Sequence, residues 1–552
     1  MEIPSIILDR LLPPQIPHIR HLLNCLLSRT VIADGSDPGT GKTYVYAAIC
    51  AILGLRPLIC SPKPNVPSIY EILELFKVEP LGVVNYETLK NGNYYESLND
   101  FYSEVRVQCP YINIERKPIK SHTGQILLTK TGQVRLQVKK ISWILPTDCM
   151  VIFDEAHRGK NGLNSGSTLN SELMVSIRPF LNILQRKYGM LVSGTLTDKF
   201  ENFDTAGYIL GLYQPHVRKV YDQFLTRVSR ANKGNLLLGI HKLLYPGSGS
   251  RMTIKAIKKS TGDTIFKDNH IKAKAYTIDR TTAMRIEYFN QQIQQTLAEI
   301  RAKGVTRGFG YIIRCWQKIE MLKTPKASEI IKRKYLKGKS VVVFTCFKAT
   351  KKQLFDGISD IVPLEEIGYI DGDQDAVERQ SVVKQFRADT LRVLICQIIA
   401  GGEALSFHDL LGIYPRFTLC FPTWSAICLK QALGRTYRAN SKSDSVQHIF
   451  YIKPRASGFG EAPETDDLAS HDDQFDSIDT PDFEEISQIE NIDLIDEDLQ
   501  QLVTNATLEQ EHLTVEEKIC ICVNAKCNNI DIINDGILTG AIFNKIAPSF
   551  EL

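Results

Sequence analysis

The feature that most limits the fold of this 552-residue chain is a series of short apolar runs, rich in Val and Ile, that alternate with helical stretches. Between about residues 1 and 215 these runs are RTVIAD (29–34), PLICS (57–61), LGVVNY (81–86), MVIFDEAH (150–157) and GMLVSGT (189–195). Uninterrupted apolar strands are typical of parallel sheets that helices cover on both faces. The pattern therefore predicts an α/β domain over residues 1–215.

The same alternation returns from about residue 326 to 455, with SVVVFTCF (340–347), RVLICQII (392–399), FTLCF (417–421) and VQHIFYI (446–452). It predicts a second parallel-sheet domain, so the fold class is α/β with two tandem domains. Residues 216–325 are less regular. We expect them to form a helical connecting region, with an amphipathic helix over residues 283–302.

Residues 95–148 depart from the strand–helix rhythm and are predicted to be an insertion in the first domain. Within it, QILLTKTGQVRLQV (125–138) alternates as a hairpin does, with a turn around Gly132. The flanks carry Lys117, Lys120, Lys139 and Lys140. Two interpretations stay open, a contact with nucleic acid and a solvated decoration.

The C-terminal part of the chain is strongly acidic. Residues 461–500 contain 16 acidic and no basic residues, which predicts a disordered acidic linker over 456–500, followed by a small segment over 501–552. Three cysteines, Cys520, Cys522 and Cys527, lie close together in that segment. Since no fourth ligand follows at zinc-site spacing, we expect no metal there.

The net charge of +4 hides an asymmetry between the body of the chain and its tail. Residues 461–552 hold 23 acidic and 3 basic residues, which leaves a net charge of +24 on residues 1–460. Such a body suits a polyanionic partner, although a charge excess also serves solubility. The tail has three interpretations: a mimic of nucleic acid, a docking segment for a protein partner, and a solubilising segment.

Thirteen cysteines, most of them inside apolar runs, predict reduced thiols and an intracellular protein. The beginning of the chain has no signal-peptide pattern. The longest uncharged apolar run, residues 44–55, is too short for a bilayer, which needs about 20 residues. We therefore expect no membrane partner.

A phosphate-binding loop is predicted at SDPGTGKT (36–43), between an apolar strand and a helical run. Its glycines would let backbone N–H groups close on phosphates, its lysine would bind the β and γ phosphates of ATP, and its threonine would bind Mg²⁺. The predicted ATP-binding residues are Ser36, Gly39, Thr40, Gly41, Lys42 and Thr43. Ser36 departs from the usual pattern, which has glycine at that position.

Two carboxylates, Asp154 and Glu155, end the apolar run MVIF. Ligands of α/β sheets bind at the carboxyl ends of the strands, so both groups are predicted to lie beside the phosphates. Asp154 would hold Mg²⁺, and Glu155 would orient and deprotonate the attacking water.

With these motifs, the chain resembles superfamily-two helicases of the DEAH-box kind, and among them the Swi/Snf-type translocases, over about residues 10–455. The motifs follow the family's order, from LLPPQIPHIRHLL (11–23) and SPKPNV (61–66) through NYETL (85–89), DEAHRGKN (154–161) and SGTLTDKFENF (193–203) to AGGEALSFHD (400–409) and QALGRTYRANSKS (431–443). The resemblance implies two RecA-like domains that hydrolyse ATP. Its compact form resembles a motor encoded by a large DNA virus.

The resemblance also implies roles for single residues. Gln15 would recognise adenine, and Ser193, Gly194 and Thr195 would couple hydrolysis to nucleic-acid contact. The implied contacts to the nucleic-acid backbone are Ser61, Lys63, Thr88, Gly401 and Gly402. Such contacts carry no base specificity, so binding should depend on salt and little on sequence.

Gln431, Arg435 and Arg438 are spaced by four and then three residues, so in a helix they would share one face. The resemblance makes them the arginine-finger segment, which would neutralise charge at the γ phosphate when the two domains close. Closure that depends on ATP would turn hydrolysis into steps along the nucleic acid.

Three functions are compatible with the sequence. The first is an ATP-driven translocase on duplex DNA, the second a DEAH-type RNA helicase, and the third a non-catalytic scaffold switched by nucleotide. The expected location is the cytoplasm or nucleus of a cell, or the virion if the gene is viral. The sequence leaves the pathway, direction of movement and oligomeric state open.

Overall fold

The computed structural model describes residues 3–121, 125–128, 132–160, 162–163, 168–303, 309–402, 405–423, 425–454 and 515–535. The chain forms two compact units. The first, here called the first lobe, is Met1–Phe266 with Asn528–Thr539, and the second lobe is Lys267–Cys527 with Gly540–Leu552. The predicted acidic linker over 456–500 lies outside the described residues.

The first lobe is built on a parallel sheet of six strands in the order β10-β1-β9-β8-β2-β3. Its strands are β1 Val31–Asp34, β2 Arg56–Ser61, β3 Gly82–Asn85, β4 Asn93–Tyr94, β5 Val107–Gln108, β6 Ile112–Pro118, β7 Leu136–Trp143, β8 Cys149–Asp154, β9 Lys187–Val192 and β10 Gly249–Ser250. Its helices are α1 Ser5–Leu8, α2 Gln15–Leu26, α3 Lys42–Leu53, α4 Val66–Leu75, α5 Tyr86–Leu89, α6 Leu98–Tyr102, α7 Leu169–Ser176, α8 Asp204–Ile209, α9 Arg218–Ala231, α10 Leu236–Leu244 and α11 Ile254–Thr261.

All five apolar runs predicted in the first lobe are strands of this sheet. Every residue of β1, β3 and β8 is buried, as expected of strands that are covered on both faces. Because the strands are parallel, β1, β9, β8 and β2 end at one edge of the sheet. The phosphate-binding loop and the run SGTLTDK (193–199), here called the SGT segment, follow the ends of β1 and β9. Ser61 is the last residue of β2, and the DEAH box (154–157) begins at the last residue of β8.

The second lobe contains another parallel sheet, in the order β11-β16-β15-β12-β14-β13. The strands are β11 Asn269–Ile278, β12 Ser340–Thr345, β13 Ile367–Ile370, β14 Val393–Gln397, β15 Arg416–Cys420 and β16 Ser445–Pro454. The helices are α12 Arg280–Lys303, α13 Phe309–Leu322, α14 Thr324–Leu336, α15 Lys348–Ile358, α16 Ala376–Arg387, α17 Ile398–Gly402 and α18 Ala426–Leu433. The predicted α/β class with two tandem sheets is confirmed.

The structure divides the predicted connecting region, residues 216–325, between the lobes. Its first part contains α9, α10 and α11, and it adds β10 to the sheet beside β1. Its second part adds β11 along the whole length of β16 and contains α12, which covers the helix expected over 283–302. The sequence pattern did not predict this division, because β10 and β11 are edge strands that form by pairing with β1 and β16, which are distant in sequence.

The insertion in the first lobe forms an antiparallel hairpin of β6 and β7, in which Ile112 pairs with Trp143 and Pro118 with Leu136. Beyond it, Leu128 pairs with Val134, as the sequence pattern around Gly132 predicts. The four lysines of its flanks are exposed.

A last helix, α19, spans Val515–Asp535 in the segment predicted over 501–552. None of the helices among the described residues is both long enough and apolar enough to cross a membrane.

Candidate active site

The phosphate-binding loop joins β1 to α3 and uses glycine where the backbone requires it. Gly39 and Gly41 have φ angles of 83° and 85°, a region that side chains disfavour. At Gly41 a Cβ atom would also lie 2.5 Å from Nε2 of Gln15. The helix then begins at Lys42, so its free N–H groups face the loop, as anion binding requires.

Lys42 lies inside this loop. Its ammonium donates hydrogen bonds to the carbonyl oxygens of Ser36 (3.1 Å) and Asp37 (3.3 Å). Buried Thr40 donates its hydroxyl to the same Asp37 carbonyl at 2.8 Å. The loop therefore surrounds the Lys42 ammonium, the positively charged group that would bind a phosphate.

Gln15, the first residue of α2, is buried against the loop. Its amide nitrogen donates to the carbonyl of Thr40 at 3.0 Å, and its amide oxygen accepts from the backbone N–H of Leu12 at 2.8 Å. Both ends of the amide are therefore fixed beside the loop. Recognition of adenine by Gln15 stays a prediction.

The structure gives a physical reason for Ser36, the departure from the usual glycine. The side chain is fully buried, and its hydroxyl accepts a hydrogen bond from the backbone N–H of Met252 at 2.9 Å. The backbone N–H of Ser36 donates to Asp34 at 2.9 Å. Ser36 thereby ties the loop to the chain that follows β10, a contact that glycine could not make.

Arg251 makes a second tie between the loop and this chain. Its guanidinium donates to the carbonyl of Gly35 and to the carboxylate of Asp37, the latter at 2.7 Å. The other Asp37 oxygen accepts from the backbone N–H of Ile254 at 2.9 Å. Arg251 has no signal in the sequence, because it lies 214 residues from Asp37 and belongs to no motif.

Asp154 is buried at the end of β8, beside the loop. One carboxylate oxygen accepts from Ser61 (2.7 Å) and from the amide of Asn65 (3.2 Å). Burial, followed by the neighbouring charge of Glu155, raises the pKa of Asp154, and Lys42 opposes the rise. A cation bound there would favour the ionised form.

Glu155 has a left-handed backbone with φ 52°, an uncommon conformation for a residue with a side chain. Such a conformation costs about 1–3 kcal/mol and is often found at functional sites. One carboxylate oxygen lies 3.4 Å from Nδ1 of His157, and the same nitrogen lies 3.0 Å from the hydroxyl of Ser193. His157 therefore links the DEAH box to the SGT segment.

The SGT segment packs directly on the phosphate-binding loop. A Cβ atom on Gly194 would lie 3.0 Å from Pro38 and 3.0 Å from the carbonyl of Ser36. Buried Thr195 donates its backbone N–H to the Ser193 hydroxyl at 3.1 Å. Ser193 stands where threonine is common, and its hydroxyl is engaged by both Thr195 and His157.

Ser61 and Thr88, near which backbone amides and hydroxyls were predicted to contact nucleic acid, have side chains that are engaged within the first lobe. Ser61 is fully buried and donates to Asp154, and Thr88 is buried and donates to Asn85 at 2.8 Å. Contacts from the backbone N–H groups near these residues to nucleic acid stay a prediction. Lys63 is more exposed and forms an ion pair with Glu104 at 2.5 Å.

In the second lobe, two arginines converge on one carbonyl group. Arg435 and Arg438 donate to the carbonyl oxygen of Leu405 at 3.2 and 3.3 Å. The predicted helical face was wrong, because α18 ends at Leu433 and carries Gln431 alone of the three. A turn and an extended segment, not a helix, bring the two arginines together.

The arginine segment also adjoins the segment of Gly401 and Gly402. Gly401 is buried in α17, where a Cβ atom would lie 2.6 Å from that of Cys396, and the helix ends at Gly402. Downstream, burial and then the charges of nearby arginines, Arg438 foremost, lower the pKa of His408 to about 3. His408 of the segment over 400–409 therefore lies close to Arg438 of the arginine segment, although the two motifs are separate in sequence.

No protein-family model matches the chain. A protein of Acanthamoeba polyphaga mimivirus, named as an ATP-dependent RNA helicase, is 31% identical over 459 residues, which cover 80% of this chain and 79% of the relative. The chain belongs to the superfamily-two helicases. This relative is viral, in agreement with the expected kind of motor.

A second relative, from Saccharomyces cerevisiae and named as an ATP-dependent helicase, is 25% identical over 221 residues, 38% of this chain and 31% of the relative. Among solved structures, the SWI2/SNF2 ATPase core of Sulfolobus solfataricus in complex with dsDNA is 14% identical, covers 91% of this chain and 97% of its own, and has a TM-score of 0.30. Dbp5 of S. cerevisiae bound to RNA and ADP BeF3 is 12% identical, with 89% and 98% covered and a TM-score of 0.36. The mimivirus relative, at 31% identity over most of both chains, shows that this chain is an ATP-dependent helicase of the superfamily-two type.

Proposed function

We propose that this helicase is a translocase that hydrolyses ATP at the phosphate-binding loop of the first lobe and moves along duplex DNA. The observation that carries the proposal is a continuous set of contacts from Glu155 through His157 and Ser193 to Gly194, which packs on the loop. Contacts of this kind can transmit a structural change at the Glu155 carboxylate to the SGT segment, which is proposed to respond to nucleic acid.

The residues around the loop fit ATP with Mg²⁺. Lys42 and the N-terminus of α3 offer positive groups to phosphate, and the oxygens of Thr43 and Asp154 are hard ligands of the kind Mg²⁺ prefers. Bound Mg²⁺ would supply charge neutralisation on the phosphates. Glu155 would position the attacking water and accept its proton.

Arg435 and Arg438 are proposed to neutralise charge that develops during hydrolysis. Their shared contact with the Leu405 carbonyl gives both guanidiniums a fixed position in the second lobe. An arginine in this role is typically worth about 10³–10⁵ in rate. The adjacent Gly401 and Gly402 are proposed to contact the nucleic-acid backbone.

The charge distribution supports a polynucleotide partner. Residues 1–460 carry a net charge of +24, and the β6–β7 hairpin exposes Lys117, Lys120, Lys139 and Lys140. Backbone contacts of this type depend on salt and carry no sequence information. The hairpin is proposed to add such contacts.

A second candidate function is RNA unwinding, which the name of the mimivirus relative favours. The test compares ATP hydrolysis with duplex DNA, single-stranded DNA and RNA, and measures displacement of a third strand from a DNA triplex. We expect duplex DNA to stimulate hydrolysis most and the third strand to be displaced, with Lys42→Ala inactive in both assays. Stimulation by RNA alone would establish the second candidate.

A further inference from the structure

The end of α19 lies against the active site of the first lobe, although about 280 residues separate it from the chain that follows β10. The carboxylate of Asp535 accepts from Nε and Nη2 of Arg251 at 2.7 and 3.2 Å. This is the arginine that also binds Asp37 and the Gly35 carbonyl of the phosphate-binding loop. One guanidinium therefore joins the C-terminal helix to the loop.

The helix also contacts the SGT segment. Asn534 is buried and donates its amide to the carbonyl of Gly194 at 2.8 Å, and Asn529 donates to the carbonyl of Asp198 at 3.1 Å. Both carbonyls belong to the run SGTLTDK (193–199). The helix thus contacts both segments that meet at the candidate ATP site.

Two further features show that this end of the helix is specifically docked. Ile530 and Ile533 are buried, with exposures of 1% and 0%. The carbonyl of Ile533, which lies in the last turn of the helix, accepts from Nδ1 of His241 at 3.0 Å. Apolar burial and directed hydrogen bonds together fix residues 529–535 in one position on the first lobe.

The position of Arg251 explains why this contact matters for the loop. A guanidinium is planar and presents its donors in a fixed fork, so each carboxylate that it binds restricts its orientation. Burial opposes its charge, but Asp37 and Asp535 outweigh that cost and raise the pKa of Arg251. Loss of Asp535 would remove one of the two carboxylates that orient the guanidinium, and so weaken the position of Arg251 on the Gly35 carbonyl.

We propose that α19 is a positioning element of the ATP site: Asp535 and Asn534 hold Arg251 and Gly194 in the arrangement that binds the phosphates. The proposal rests on the proposed function in that it takes ATP to bind at this loop. Because coupling between two sites is reciprocal, bound nucleotide should in turn strengthen the docking of α19.

The test uses the full chain with the substitution Asp535→Asn, and Asn534→Ala as a second variant. Each should raise the KM and Kd for ATP on the order of tenfold, the usual size of such coupling, while kcat at saturating ATP stays close to wild type. Asn528→Ala, on the same helix but without a hydrogen bond to the described loop residues, is the matched control.

Hydrogen exchange of residues 523–535 in the wild-type chain supplies a readout that a purely structural role would not move. A non-hydrolysable ATP analogue should slow this exchange, and Lys42→Ala should abolish the effect. Unchanged ATP affinity in both variants, tighter ATP binding, or exchange that ignores the analogue overturns the proposal. ATP binding that survives Lys42→Ala would instead count against the proposed function.

Discussion

Ser36 provides the sharpest test of how the phosphate-binding loop is held. The substitution Ser36→Ala removes the hydroxyl that accepts from the backbone N–H of Met252 at 2.9 Å, in a position with no solvent exposure. The protein then loses a neutral hydrogen bond and leaves a buried N–H group without its acceptor, which typically costs about 1–3 kcal/mol. We therefore expect the free energy of unfolding of the first lobe to fall by that amount.

Glycine, the residue of the usual motif, should not restore the loss. In Ser36→Gly the same acceptor is missing, and glycine adds conformational freedom to the unfolded chain, worth about 0.4–1 kcal/mol more. The variant that matches the usual motif is thus expected to be the less stable of the two.

The assay is urea unfolding followed by the fluorescence of Trp143. With Trp316 and Trp424 replaced by phenylalanine, Trp143 remains as the reporter and belongs to the first lobe. Ser28→Ala, an exposed serine of the same lobe, is the control and should change stability little. If Ser36→Ala lowers the free energy of unfolding no more than Ser28→Ala does, the Ser36 hydroxyl does not stabilise the loop, and the prediction is wrong.

Four further results are expected. Burial and the charge of Glu155 raise the pKa of Asp154, so this carboxylate becomes protonated as the pH falls. In Mg²⁺ titrations of the ATPase, the affinity for Mg²⁺ should therefore decrease at lower pH. Asp154→Asn should reduce the affinity for Mg²⁺ at every pH. Glu155→Gly should abolish hydrolysis and relieve a backbone strain of about 1–3 kcal/mol, of which the freedom that glycine adds to the unfolded chain offsets about 0.4–1 kcal/mol, so unfolding stability should rise by the difference. Glu155→Gln should abolish hydrolysis without a gain in stability. His157→Ala should lower the stimulation of ATPase by nucleic acid more than the basal rate, and equal losses would argue against its coupling role. Arg435→Ala should slow hydrolysis by about 10³–10⁵ with ATP affinity retained in equilibrium binding, and a loss of binding alone would contradict the finger role.

Local patterns predicted much of the fold and the centre of the site. The apolar runs are strands, and the loop at residues 36–43 lies between β1 and α3 as its glycines and flanking segments require. Asp154 follows a buried strand, as its position after the run MVIF predicts. These features depend on a few consecutive residues, so the sequence contains their full signal.

The arginine segment shows where local reasoning fails. Spacing by four and three predicted a helical face for Gln431, Arg435 and Arg438, yet α18 ends at Leu433. Spacing alone cannot locate the end of a helix. The shared carbonyl of Leu405, about 30 residues earlier, brings the two arginines together instead.

The amino-acid sequence by itself determined the two parallel sheets, the phosphate-binding loop and the acidic pair, since periodicity and strand–loop–helix order are local properties. Only the tertiary structure decided that Ser36 binds Met252, that Arg251 joins Asp37 to Asp535, and that Ser61 faces Asp154. The pairs involving Met252 and Arg251 span more than 200 residues and depend on a two-residue strand, β10, placed at the sheet edge. A strand that short has no periodicity of its own, because its partner β1 and the packing around it supply the energy that forms it.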